Sequence, residues 1–363
     1  MAREKINSFE NRELLYVSHE DGSVTCSICA HRCYLVEGQR GICAVRQNRD
    51  GRPVSLVYGR LVAESMDPIE KKPLFHVLPG SLSYSISTRG CNFRCSHCQN
   101  ASISQVGRSE NVEISGVLRK PEDVVSAAVS GGCQSISYTY VEPTVFFEYG
   151  YDCCRLAVER GIKNIFVSNG YMTRESLELL APFMSAVNID IKAFTDSFYK
   201  KVCGARLQPV LDSVRLLKEL GVWLEVTTLL IPGLNDSDKE LSDIASFLAS
   251  IDTSIPWHIT GFYPAYHMLN VEPTSVAALK RAWQIGRTKG LKYVYTGNRP
   301  GLDYEDTVCP GCNHRIIGRY GFRVDYISMQ AGSCPECGER IPGYGVEQGF
   351  FNESSPFPEI VSC

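Results

Sequence analysis

A chain of 363 residues, 44% of them hydrophobic, has material for two or three domains with buried cores. Its 37 Lys and Arg face 40 Asp and Glu, and the net charge of -3 excludes a general electrostatic case for nucleic acid or anionic membrane binding, leaving only a local basic patch open. No run of about 18 apolar residues occurs, and Met1-Ala2-Arg3-Glu4-Lys5 leads into polar sequence, which predicts a soluble cytoplasmic protein.

Sixteen cysteines would mean disulfides in a small secreted domain, but here most fall into short-spaced groups without a secretion signal, which points to ligation in a reducing compartment. The first group, Cys26-x2-Cys29-x3-Cys33-x9-Cys43, lies between two hairpin signals, Asp21-Gly22 and Asp50-Gly51. Four thiolates on short β-ribbons make a closed cage, and the spacing suits either zinc or an auxiliary iron-sulfur cluster. His31 is a spare ligand here and reads as a solvated loop residue.

From Leu82 the chain alternates β-rich runs with amphipathic helical stretches, the pattern of parallel strands joined by crossover helices. Strands are predicted over 83–88, 135–140, 164–168, 186–192, 223–230, 257–262 and 292–295, and helices over 121–130, 144–160, 174–183, 207–220, 237–250 and 274–289. Right-handed crossovers wind such units into a partial or full (β/α) barrel, and chemistry collects at the C-terminal ends of its strands. Polar residues recur there: Glu142-Pro143-Thr144, Ser168-Asn169-Gly170, Asp190 with Lys192, and Ile231-Pro232-Gly233, while His258 lies in the sixth strand.

The loop after the first strand reads Gly90-Cys91-Asn92-Phe93-Arg94-Cys95-Ser96-His97-Cys98, a Cys-x3-Cys-x2-Cys run. Cubic iron-sulfur clusters normally take four cysteines, so a three-cysteine loop leaves one iron open to a substrate or cofactor. Cys133, Cys153, Cys154 and Cys203 lack partners at ligand spacing and read as core residues. Cys309-x2-Cys312 with Cys334-x2-Cys337 forms two knuckles of a zinc ribbon, with a rubredoxin-like iron as the alternative, and His314 reads as a solvated neighbour. The expected division is an N-terminal four-cysteine β segment (1–78), a barrel (79–304), a four-cysteine ribbon (305–347) and a tail (348–363) ending in Cys363.

The cysteine loop and the strand-end set resemble the radical S-adenosylmethionine (SAM) enzymes, among them the activating enzymes of glycyl radical proteins such as pyruvate formate-lyase, and most closely the AmmeMemoRadiSam system type. Further marks are Gly41-Ile42-Cys43-Ala44-Val45-Arg46, Asp67-Pro68-Ile69-Glu70-Lys71-Lys72-Pro73-Leu74, Tyr138-Thr139-Tyr140-Val141-Glu142-Pro143-Thr144 and Trp257-His258-Ile259. The resemblance implies a [4Fe-4S] cluster on Cys91, Cys95 and Cys98, with SAM on its open iron. It places Glu142 at the SAM amino group, Lys192 at its carboxylate, Asp190 at a ribose hydroxyl and His258 near the adenosyl group, and it counts Ser168 and Asn169, which match a Thr-Asn-Gly step, among the cofactor-binding residues. Reductive cleavage would then give a 5'-deoxyadenosyl radical that takes hydrogen from a protein or peptide, with glycyl radical formation as one outcome.

Two departures stand out. Tyr140-Val141 replaces a Gly-Gly pair, and Val167 replaces an aspartate that can help to bind a monovalent cation, so the resemblance does not extend to that cation site. His97 stands where an aromatic packs near the cluster. The resemblance also implies a reducing electron donor and AMMECR and Memo type proteins as partners. The rival readings are a radical SAM enzyme for a nucleic acid or small metabolite, and a scaffold with structural metals only. If the ribbon captures a partner, truncation after Asp306 should weaken capture and leave SAM cleavage intact.

Overall fold

The computed structural model describes residues 15–348 apart from 108, 110, 111 and 300–303; the tail from 349 on, with Cys363, lies outside the described residues. Eight strands form the central sheet: β1 (Ala63–Pro68), β2 (Leu82–Ser87), β3 (Ser135–Tyr138), β4 (Lys163–Ser168), β5 (Ala186–Asp190), β6 (Trp223–Leu230), β7 (Trp257–Gly261) and β8 (Val294–Gly297). They lie side by side in chain order, β2 to β8 parallel and β1 antiparallel along the edge of β2. Among the described residues no ladder joins β1 to β8, so the barrel is partial.

β3 is buried at every position, and so is β5 up to its last residue, as expected of parallel strands covered on both faces. The helix Gln208–Glu219 shows how the cover is made: Val210, Leu211, Val214 and Leu217 recur at helical spacing and are buried, while the charged residues face out. The helices at 174, 238 and 276 begin on Thr173, Ser237 and Ser275, whose side chains accept from the backbone N–H three residues on. Among the described residues no helix is long and apolar enough to cross a membrane.

The observed bounds correct the expected division. β1 belongs to the central sheet, so the barrel starts before residue 79; Ala-Glu-Ser-Met-Asp-Pro carries no β-rich signature because an edge strand needs only one buried face. The last strand runs over 294–297 rather than 292–295, and the helix predicted from 144 opens with a 3-10 turn, Pro143–Phe146.

The N-terminal segment is a three-stranded sheet (Tyr16–Ser18, Val24–Cys26, Tyr34–Leu35) followed by the hairpin Arg46–Arg49 with Arg52–Ser55. It seats on the rim of the barrel that carries the cysteine loop. Ala30 N–H donates to Tyr171 at 3.1 Å, Thr173 Oγ1 donates to Ser27 at 2.6 Å, and His31 Nε2 lies 2.8 Å from the Asn92 carbonyl. His31 is therefore a docking residue rather than a solvated one.

The C-terminal ribbon (Thr307–Val308, Arg315–Tyr320, Arg323–Ile327) closes the opposite end. Arg319, fully buried, donates to the Phe75 carbonyl at 2.7 Å and to Thr307 Oγ1 at 2.7 Å, with Glu70 at 3.8 Å. Tyr344 N–H donates to the His76 carbonyl at 2.8 Å, and His76 Nδ1 lies 2.7 Å from the Pro342 carbonyl.

Candidate active site

One cavity of about 330 Å³ opens at the C-terminal ends of the strands. Cys91, Cys95 and Cys98 line it, together with Glu142, Ser168, Asn169, Asp190 and Lys192, so residues spread over a hundred positions meet in one space. The meeting follows from the parallel order, since each crossover returns the chain so that every strand ends at the same rim.

Glu142 caps the turn after β3 and is buried. Its Oε1 accepts from Thr144 N–H at 3.2 Å and Thr144 Oγ1 at 2.9 Å, and its Oε2 accepts from Asn169 N–H at 2.8 Å. The Ser168 hydroxyl sits 3.0 Å from both oxygens. Burial raises the carboxyl above its ordinary range, against the pull of the Asn169, Thr144 and Ser168 donors. Asn169 Nδ2 also donates to Asn92 Oδ1 at 2.7 Å, which ties β4 to the cysteine loop.

Lys192 Nζ meets Asp190 Oδ2 at 2.8 Å. Burial works against its charge, but Asp190 and the nearby sulfurs of Cys95 and Cys203 outweigh burial and hold the ammonium well above its usual range. His97 lies at the cavity wall near the Phe198 ring, and burial keeps it neutral, at about 3. Val167 lines the cavity with an apolar side chain, which offers no oxygen to a cation.

His258 is not in this cavity. It is the second residue of β7, far from the rim, and its Nε2 meets Glu225 Oε2 at 2.6 Å beneath the site, beside Phe75 and Tyr295. The sequence pattern placed it in the right strand, but its position along the strand puts it at the floor.

Several residues that entered the sequence reading without a role at the site take one in the structure. Asp67 accepts from Lys72 at 2.6 Å, Lys71 at 2.8 Å, Ser85 at 2.8 Å and Tyr140 at 2.7 Å, and Lys71, Lys72 and Tyr140 all border the cavity. Burial alone would raise Asp67, but the two lysines and Tyr140 hold it well below the usual carboxylate range. Tyr140 adopts a φ of 67°, in the left-handed region that glycine enters freely and other residues rarely do. Cys203, read as a core residue, is buried as expected, and it stands near enough to Cys95 to push that thiol up, together with burial.

The description "Radical SAM superfamily" matches residues 85–247, and these hold the cysteine loop and every cavity residue from Cys91 to Thr227. Over 331 residues the chain is 42% identical to an uncharacterized protein, MJ0808, of Methanocaldococcus jannaschii, covering 90% of this chain and 98% of the relative. The chain belongs to the radical SAM superfamily. It is 27% identical over 222 residues to a putative glycyl-radical enzyme activating enzyme, MJ1632, of the same organism, covering 59% of this chain and 80% of the relative. It is 24% identical over 190 residues to a pyruvate formate-lyase-activating enzyme of Clostridium pasteurianum, covering 51% and 78%. Among solved structures, a domain of the pyruvate-formate lyase-activating enzyme of Bacteroides vulgatus aligns at 20% identity and a TM-score of 0.40, covering 45% of this chain and 99% of that one.

As a radical SAM enzyme the chain implies a [4Fe-4S] cluster and SAM. The donor set fits the cluster. Three thiols face the cavity, Phe93 N–H points at Cys91 Sγ at 3.5 Å, and the Ser104 hydroxyl lies 3.1 Å from Cys98 Sγ, as suits sulfurs that carry negative charge. At the C-terminus, the sulfurs of Cys309, Cys312, Cys334 and Cys337 all lie within 4.8 Å of one another, a mononuclear metal cage already drawn together.

Proposed function

We propose that this radical SAM enzyme is of the activating type and removes a hydrogen atom from a protein or peptide substrate. The observation that carries the reading is that Cys91, Cys95 and Cys98 share one cavity with Glu142, Asp190 and Lys192. When bound, the cluster and SAM supply a 5'-deoxyadenosyl radical by one-electron cleavage of the sulfonium.

The chain's own residues bind and orient. The Lys192 ammonium offers a partner for the SAM carboxylate, and Asp190, a third exposed, has an oxygen left for a ribose hydroxyl. Glu142 Oε2 holds one full hydrogen bond from Asn169 and shares the Ser168 hydroxyl, which leaves an acceptor position for the SAM amino group. Ser168 and Asn169 act through Glu142 and Asn92, fixing the carboxylate relative to the loop. Lys71 and Lys72, held by Asp67, form a cationic rim beside the cavity.

Support for a protein substrate comes from relatives named as activating enzymes of pyruvate formate-lyase and isethionate sulfite-lyase. Glycyl radical formation is the specific outcome we assign, with a low-potential reductant upstream and AMMECR and Memo type proteins as the first partners to test. We assign the C-terminal cage to zinc. Anaerobically reconstituted protein given dithionite and SAM should release 5'-deoxyadenosine and methionine, and the triple Cys91, Cys95 and Cys98 to Ala variant should not. Turnover with a candidate protein should move deuterium from a labelled site into 5'-deoxyadenosine. Fully loaded protein that leaves SAM intact would favour a scaffold.

A further inference from the structure

The chain sorts its ligating thiols into two geometries. Two sulfurs on one zinc or iron ion can be no farther apart than twice the metal-sulfur bond, about 4.6 Å for a bond of about 2.3 Å. The C-terminal set comes to about this limit: all four sulfurs lie within 4.8 Å of one another, and two pairs are well inside it, Cys309 to Cys337 at 3.5 Å and Cys312 to Cys334 at 3.6 Å. Among the described residues it is the one set that does so. No three of Cys26, Cys29, Cys33 and Cys43 meet the 4.8 Å spacing, and neither do Cys91, Cys95 and Cys98. The N-terminal thiols are therefore spread like those of the three-cysteine loop, too widely for a single ion.

They nonetheless surround one space. All four line a single pocket with Ile28, Leu35, Ile42 and Val145, and the open face of Gly41 is turned to it, the position of a Cβ there being 3.5 Å from Cys33 Sγ and 3.8 Å from Cys43 Sγ. Arg46, buried and paired with Glu148 at 2.6 Å, stands close enough to Cys26 and Cys43 to interact with their charge. Four converging thiols, an apolar wall and one buried guanidinium match the needs of an anionic polynuclear cluster.

The pocket also adjoins the active site. Thr144, which donates to Glu142, is one of its walls. Gly90, the residue before Cys91, has a φ of 88°, and a Cβ there would stand 2.7 Å from the Cys43 carbonyl oxygen and 2.5 Å from Val45 Cγ1. The two cysteine loops are thus in direct backbone contact. Arg94 reinforces the junction, donating to the Ile42 carbonyl at 2.6 Å.

We infer that Cys26, Cys29, Cys33 and Cys43 hold an iron-sulfur cluster rather than zinc, and that it relays single electrons to the cluster on Cys91, Cys95 and Cys98. The relay part rests on the proposed function. In each transfer the N-terminal cluster is oxidised by one electron and the loop cluster is reduced by one. The electron is replaced from a reduced one-electron carrier of the flavodoxin or ferredoxin class, and no proton moves.

The test is metal analysis, Mössbauer spectroscopy and electron paramagnetic resonance on anaerobically reconstituted full-length protein and on the triple Cys91, Cys95 and Cys98 to Ala variant, whose N-terminal cysteines are untouched. We expect about eight irons per wild-type chain and about four in the variant, one cubane's worth remaining, with zinc unchanged at one. Dithionite-reduced wild type should show a signal broadened by coupling between two neighbouring paramagnetic clusters, and the variant a narrower one. A variant without iron and with two zincs would overturn the inference and leave the catalytic loop standing. Iron that is the same in wild type and variant would instead sink the loop assignment. Wild-type spectra equal to the sum of two uncoupled clusters would overturn the relay.

Discussion

The hydroxyl of Tyr140 donates to Asp67 Oδ2 at 2.7 Å while the Tyr140 backbone is held at a φ of 67°. A side chain in this region costs about 1–2 kcal/mol, which glycine avoids. Tyr140→Ala and Tyr140→Gly both remove the ring and the hydroxyl and differ only in that backbone cost. Elsewhere alanine is the more stabilising residue, because glycine loses more freedom on folding. Here we expect the order to invert, with the glycine variant more stable by about 1 kcal/mol in urea unfolding. An alanine variant as stable as the glycine one would show that the backbone is not strained.

Glu142 is surrounded by donors: Thr144 N–H, Thr144 Oγ1, the Ser168 hydroxyl and Asn169 N–H. Glu142→Gln keeps the shape but turns an amide NH2 toward one of them, leaving a buried donor without an acceptor at a cost of about 1–3 kcal/mol. The variant should unfold at a lower temperature and bind SAM at least about tenfold more weakly, since about 1.4 kcal/mol of lost interaction is a factor of ten. Calorimetric titration with SAM checks the second effect, and unchanged affinity would remove Glu142 from the binding site.

Much of this was legible in the chain, and the reasons differ from place to place. The helix Pro121–Ser130 was read to the residue, because Pro121 and two acids mark its first turn. The cavity residues Glu142, Ser168, Asn169, Asp190 and Lys192 were found because parallel strands bring their C-terminal ends to one rim, so a polar residue at that place in each strand carries its own address. His258 broke the pattern because strand membership fixes a residue's column in the sheet and leaves its depth open. The network of Asp67, Lys72 and Tyr140 was hidden for a different reason: it joins an edge strand to the turn after β3. The contact of Gly90 with Cys43 depends on how a loop docks, which no local periodicity encodes.

Glu70 gives a pH signature. Fully buried, its carboxyl is pushed up by desolvation to about 7 from 4.5, with Arg319 opposing. Between these values the folded chain holds a proton that the unfolded chain has released, so this group's contribution to stability falls as pH rises from about 4.5 to about 7 and is constant outside that window. Glu70→Gln removes the titration. The melting temperature of wild type minus that of the variant should therefore decline from pH 5 to pH 7.5. A flat difference would mean that Arg319, 3.8 Å away, keeps Glu70 ionised throughout.

The ribbon looked separable in the sequence, and truncation after Asp306 was expected to spare SAM cleavage. The docking geometry argues otherwise. Removing the ribbon takes Arg319 from the Phe75 carbonyl and from Glu70, Thr307 from the Tyr295 hydroxyl at 2.9 Å, the Pro342 carbonyl from His76, and Tyr344 from Leu78 N–H at 3.0 Å. Each hydrogen bond exchanged for water loses about 0.5–1.5 kcal/mol, the Phe75 ring loses the Arg319 guanidinium that covers it at 4.3 Å, and a whole domain has only about 5–15 kcal/mol to lose. The shortened chain should be insoluble or lack a cooperative melt, and it should cleave no SAM. Cys309→Ser with Cys312→Ser, which opens the metal cage but keeps the docking residues, should release one metal ion and still leave the floor contacts to form. We therefore expect that double variant to melt lower than wild type yet retain more soluble protein than the truncation, and soluble, cleaving protein lacking residues 307–363 would show the ribbon to be dispensable.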